Sequence, residues 1–145
     1  MEKLINGFNP QEVYQLYAFV ESYETAGIKS YKTQTSLFNE HPELKDLTLV
    51  LKKVKCHYSN SKEMKSIDIK TMNNEIYYTE YQIGHLLSLL YHLRNSIAHA
   101  CAIKHGTKTL ITDFKVKRPT EFSARGRISL DIINEFTHIL KKIHL

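Results

Sequence analysis

Arg94, Asn95 and His99 place a guanidinium, a carboxamide and an imidazole within one short stretch, with His92 and Ser96 beside them. An imidazole that titrates near neutrality can take a proton from an RNA 2′-hydroxyl or give one to the departing 5′-oxygen. A guanidinium can grip two phosphate oxygens and stabilise the charge that builds up in the transition state. RNA carries its own nucleophile, so this set asks for no metal. It does ask for both an acid and a base. One chain offers one obvious histidine, His99; two chains related by a two-fold axis offer two. His92 and Ser96 are placed to support the three.

The elements that position this stretch can be read from periodicity. Ile83, Leu86, Leu87, Leu90, Leu93 and Ile97 recur at steps of three and four, which predicts a long helix over about 79–100. Thr79-Glu80-Tyr81-Gln82 reads as its capping box. The face opposite the apolar stripe carries His85, Ser88, His92, Asn95 and His99. Asn95 and His99 lie about 40° apart on that face, whereas Arg94 lies roughly 140° from His99, beside the stripe. Arg94 must then either snorkel round the helix or act across an interface with a second copy. The plainer alternative is a solvated polar face and an Arg-Asn pair that caps or forms salt bridges.

Length and composition predict one domain over 1–145, large enough to bury a core. No window approaches 18 consecutive apolar residues, so no membrane span is expected. Met1-Glu2-Lys3-Leu4-Ile5 lacks a signal-peptide pattern, which points to a cytoplasmic protein. Cys56 and Cys101 suit free buried thiols rather than a disulfide. The formal charge is +5. Lys104, Lys108, Lys115, Lys117, Arg118, Arg125 and Arg127 crowd one tract against Asp113 and Glu121. Lys104, Lys115, Lys117, Arg118, Arg125 and Arg127 are therefore candidates for tracking an RNA backbone. A solvated hairpin whose lysines guard an edge strand explains the same tract equally well.

Phosphate-cradling glycine loops, HExxH and CxxC are absent from the sequence. Histidines seven apart on a helix stand about 10 Å apart along its axis, too far to share one metal. No metal or other cofactor is expected.

Asn9-Pro10-Gln11-Glu12 is a strong helix start, and Gly27 a natural end. The aromatics Tyr14, Tyr17, Phe19 and Tyr23 on this helix suit core or dimer contact better than base stacking. Residues 28–41 read as a hydroxyl-rich loop. Pro42 opens a second helix through Leu44, Leu47, Leu51 and Val54, with a lysine-rich outer face. Residues 62–78 fit either a strand, from Ile67 and Ile69, or a short helix, from Met64. Two short strands flank Gly106-Thr107, residues 121–127 form a third strand or an irregular arm, and Ser129 caps a last helix. The expected fold is mainly α: a bundle of four to five helices with a short β-hairpin before the C-terminal helix.

At Arg94-Asn95-x-x-x-His99, near the end of a long amphipathic helix, the chain resembles the HEPN superfamily. The helix order extends the resemblance across most of the chain. It implies an HEPN-like bundle, a homodimer, and a composite site in which both copies of Arg94 and His99 line one cleft. It implies a metal-independent endoribonuclease leaving 2′,3′-cyclic phosphate and 5′-hydroxyl ends. His99 would be the acid/base, Arg94 would hold the phosphate, and Asn95 would position either. Toxin–antitoxin or antiviral roles, with a nucleotidyltransferase-like antitoxin as partner, belong to the same implication. So does the alternative of an inactive dimer that binds RNA, nucleotide or protein.

Overall fold

Asn9 begins the first helix as its sequence dictates. Its Oδ1 accepts the Glu12 N–H at 2.9 Å, and Glu12 Oε1 accepts the Asn9 N–H at 3.0 Å. Helix α1 runs Pro10–Thr25, and Gly27, at φ 65°, turns the chain away. The computed structural model describes residues 6–79 and 83–143. In order there follow α2 (Gln34–Glu40), α3 (Leu47–Leu51), β1 (Lys55–Tyr58), α4 (Ser61–Lys65), β2 (Glu75–Tyr78), α5 (Gly84–Ala98), β3 (Ile103–His105), β4 (Lys108–Phe114), β5 (Phe122–Ser129) and α6 (Leu130–Leu140).

The expectation of a mainly α bundle is overturned. The strands form one five-stranded mixed sheet in the order β1-β2-β5-β4-β3, with β1 and β2 parallel and the other pairs antiparallel. The hairpin around Gly106 exists, but it forms one edge of this sheet rather than an insertion in a bundle. The segment after Glu121 is a full strand at the sheet's centre. β1 and β2 are four residues each, too short for alternation to declare itself. What makes them strands is pairing with distant residues: Cys56 with Ile76, and Tyr78 with Ala124. Gly126 allows the close approach of β2, since a Cβ there would stand 2.7 Å from Ile76 Cα.

Other expectations shift for similar reasons. Residues 28–41 contain α2, capped by Thr33 Oγ1 accepting the Ser36 N–H at 3.1 Å. The helix expected from Pro42 is only a 3₁₀ turn, Pro42–Leu44, followed by α3, because the chain then extends to pair as β1. Within residues 62–78 the short helix at Met64 is present as α4, but the strand expected at Ile67 and Ile69 is not: Ile69 opens a 3₁₀ turn, Ile69–Thr71, and the strand of this segment is β2, at Glu75–Tyr78.

The sheet has two covered faces. Ile76, Tyr78, Ile111, Ala124 and Ile128 join α1, α5 and α6 in the main core. On the other face Leu110 and Tyr77 pack with Ile69 and Met72. Helix α5 lies in the middle and is buried nearly all round, its Ser88, His92, Asn95 and Ser96 included. Its polar face is therefore not solvated; it is turned onto the sheet. The helix begins at Gly84, after Ile83 with no side-chain cap. Of the anticipated capping box, Glu80, Tyr81 and Gln82 lie outside the described residues, and the Thr79 N–H donates to Ser123 O across the sheet. Among the described residues no helix is long and apolar enough to cross a membrane.

Candidate active site

Asp113 on β4 is the group that organises the motif helix. Its Oδ2 stands 2.9 Å from His92 Nδ1 and accepts the Asn95 amide at 3.2 Å. Asn95 Oδ1 in turn accepts from Arg94 Nη1 at 3.0 Å, and Arg94 Nε donates to Glu24 Oε1 on α1 at 2.7 Å. One step along, Ser96 Oγ accepts the Thr112 N–H at 3.1 Å. Glu24, Arg94, Asn95, Asp113 and His92 thus form one hydrogen-bonded chain from surface to interior. The His92 and Asp113 side chains are 4% and 5% exposed, so the pair is fully desolvated. A carboxylate against Nδ1 fixes the ring's orientation and directs Nε2 away from it. His92 Nε2 is buried and has no protein partner; Ser123 Oγ is in the same condition.

His92, Asn95, Asp113 and Ser123 line a cavity of about 340 Å³. Its wall is built by Leu87, Tyr91, His92, Asn95 and His99 from α5, and by Asp113 to Val116 from β4 and its continuation. Lys29, Tyr31 and Lys32, from the connection between α1 and α2, complete it. His92 and His99 share the cavity, one buried and one exposed. Lys29 and Lys32 are exposed and Lys115 is half-exposed. Tyr23 also reaches the wall, and burial pushes its phenol up to about 12, so it remains a neutral donor.

His99 is the C-cap of α5. The turn that presents it is a Schellman motif: the Ala100 N–H reaches Ile97 O at 3.0 Å and the Cys101 N–H reaches Ser96 O at 2.8 Å. The motif needs a left-handed residue after the cap, and Ala100 adopts φ 58° to supply it. The Asn6 amide holds this turn from outside, donating to Ala100 O at 2.9 Å and to Ala102 O at 3.2 Å.

The structure brings Asn95 and His99 together with His92, but it keeps Arg94 off the cavity wall. Arg94 is paired with Glu24 and its side chain is 31% exposed. The basic tract divides. Lys115 lines the cavity and lies 3.4 Å from Glu121, which Arg118 also approaches at 3.5 Å. Lys117 is exposed. Lys104 pairs with Glu12 at 2.8 Å, which holds the Glu12 carboxyl below its ordinary range. Arg125 and Arg127 alternate with the core-facing Ala124 and Ile128, so they lie on the sheet's other face. Arg125 donates to Met64 O at 2.7 Å and stacks on Phe122, and Arg127 donates to Met72 O at 2.8 Å. Burial lowers the affinity of the Arg125 guanidinium for its proton. These two arginines pin the segment from α4 to β2 and do not face the motif.

Sequence reasoning missed Asp113, read only as a stray counter-charge, and Glu24, Lys29 and Lys32. Nothing local marks any of them; the sheet, helix α1 and the α1–α2 connection bring them in from afar. Cys56 and Cys101 are free thiols, half-buried rather than buried. Among the described residues no three His, Cys, Asp or Glu side chains gather as a metal-ligand set. No protein-family model matches the chain, and no curated protein or solved structure does either.

Proposed function

We propose that this protein is a metal-independent endoribonuclease, related to the HEPN type through its Arg94-Asn95…His99 motif. In this reading an RNA 2′-hydroxyl attacks the adjacent phosphate and leaves 2′,3′-cyclic phosphate and 5′-hydroxyl ends. The observation that carries it is the cavity, whose wall holds two imidazoles and Asn95 beside Lys29, Lys32 and Lys115. Such a lining suits a ribose and a phosphate held between proton carriers and cations. His99, exposed in that wall, transfers a proton, and Asn95 fixes the local geometry. Arg94 binds phosphate on leaving Glu24. That pair is 31% and 48% exposed, and exposed ion pairs contribute only about 0–1 kcal/mol, so a phosphate group competes with it readily. A homodimer is part of the proposal, with Arg94 at the flank where a second copy would meet it.

The second reading is a binding module without turnover. Its support is that Arg94 stands outside the cavity and is already engaged. Cleavage of a mixed single-stranded and hairpin RNA pool in excess EDTA, with end-group analysis, separates the two. The nuclease reading expects cyclic phosphate ends from wild type and a loss on the order of 10²–10⁴-fold in His99→Gln, with RNA affinity retained. A folded wild type that binds RNA and leaves it intact selects the binding module.

A further inference from the structure

The proposed reaction needs a base as well as an acid. We propose that His92, braced by Asp113, is that base, so that one chain carries both proton-transfer residues. This rests on the nuclease reading above.

Three observations converge on His92. Its Nδ1 lies 2.9 Å from Asp113 Oδ2, the carboxylate–imidazole arrangement that holds a ring in one tautomer and steadies the charge it acquires. Its Nε2 is buried without a protein partner, although the residue lines the cavity. Buried polar atoms are nearly always paired, so a cavity-lining imidazole with one nitrogen fixed and the other unpartnered points to a ligand. Finally, His92 and His99 lie seven residues apart on one helix face, with Asn95 between them.

That spacing is too wide for one metal, but it fits in-line phosphoryl transfer. Attacking and leaving oxygens on opposite sides of phosphorus, each with a hydrogen bond of about 3 Å to an imidazole, span roughly 10 Å in all. The axial rise between the two residues is also about 10 Å. His92 is the inner residue and His99 the exposed one. Asp113 at Nδ1 steadies the positive charge that His92 gains as a base, so the 2′-hydroxyl gives its proton to His92 Nε2 while O2′ bonds to phosphorus. The P–O5′ bond breaks, and His99 delivers its proton to O5′. His92 ends protonated and His99 neutral, and exchange with water restores both. Tyr78, stacked 5.6 Å from the His92 ring, packs behind it. Asp113 acts as a positioning residue through His92.

The test uses one oligoribonucleotide that wild type cleaves, in two versions. In the second, sulfur replaces the 5′-oxygen of the cleaved bond; a thiolate leaves without needing protonation. His92→Gln should lose about 10²–10⁴-fold in single-turnover rate on both versions. His99→Gln should lose as much on the oxygen version and recover to within about tenfold of wild type on the sulfur one. If circular dichroism shows His92→Gln unfolded, Asp113→Asn replaces it. An amide offered to Nδ1 favours the wrong tautomer, so at least about a 10²-fold loss on both versions is expected. Recovery of the inner-residue variant on the sulfur substrate, or a rate within about threefold of wild type, overturns the assignment. Wild type that cleaves neither RNA overturns the nuclease reading itself, and this one with it.

Discussion

The two faces of the sheet at β4 and β5 treat neighbouring residues in opposite ways. Thr112 pairs with Arg125 and Asp113 with Ala124, one step apart in the same ladder. Asp113 faces the helices, collects His92 and Asn95, and borders the cavity. Arg125 and Arg127 face the other way, and their Nη atoms are committed to backbone carbonyls. Their Nε atoms have no partner either, yet neither side chain lines the cavity that holds His92. Charge density along the sequence is therefore a poor guide to an electrostatic surface. In a strand, one residue's step separates a site from a scaffold.

The strongest way to break this comparison is to remove its pivot. Asp113→Ala would strip the buried His92 Nδ1 and the Asn95 amide of their common acceptor. Leaving two buried donors without an acceptor costs about 1–3 kcal/mol each, and for a chain of this length the melting temperature should fall by about 10 °C. Thermal melting of the purified variant measures this. A drop of less than about 3 °C would mean that Asp113 does not organise the face as its geometry indicates.

A second prediction sets the two groups of cations against each other. Arg127→Ala should destabilise by about 1–3 kcal/mol, since Met72 O loses a charged donor, and should leave the salt dependence of RNA binding unchanged. Lys29→Ala with Lys32→Ala should do the reverse. Both lysines are exposed, so stability should stay within about 0.5 kcal/mol. The slope of log affinity against log salt should shrink by about 0.7 for each single-strand phosphate that is no longer neutralised. Urea unfolding and salt-titrated binding measure the two effects. A shallower salt slope in Arg127→Ala would bring the far face into the proposed RNA contact.

How much of this was legible in the sequence follows from where the information lies. Asn9, Glu12 and Ser129 cap their helices through residues three positions away, and these starts were readable. The apolar period of α5 was readable too, as was the closeness of Asn95 and His99. The same pattern misled about what surrounds α5. Its polar face reads as solvated because a helix period says nothing about a partner 18 residues on, and Asp113 meets Asn95 at that separation. The parallel pairing of β1 with β2, and the turning of Arg125 and Arg127 to the far face, depend on registers set by residues from Lys55 to Arg127. No local window contains them.

The smallest predicted effect concerns the turn that presents His99. Among the described residues, those other than glycine with positive φ are Asn6, Asn74 and Ala100. Asparagine tolerates the left-handed region, and Asn74 also accepts the Ser129 N–H at 2.8 Å. Alanine gains nothing there and carries a Cβ that crowds the following carbonyl, at a cost of roughly 1–2 kcal/mol. Ala100→Gly should remove that strain, less the extra entropy glycine loses on folding, for a net gain of about 0.5–1 kcal/mol. The melting temperature should rise by about 2 °C. Strain held beside a working side chain persists when it serves the geometry of the site. On the proposed nuclease reading, the glycine variant should cleave RNA a few-fold more slowly despite being more stable, because the turn behind His99 is freer. A raised melting temperature with an unchanged rate would detach the strain from the site. The motif would then owe its geometry to Asp113 and the sheet alone.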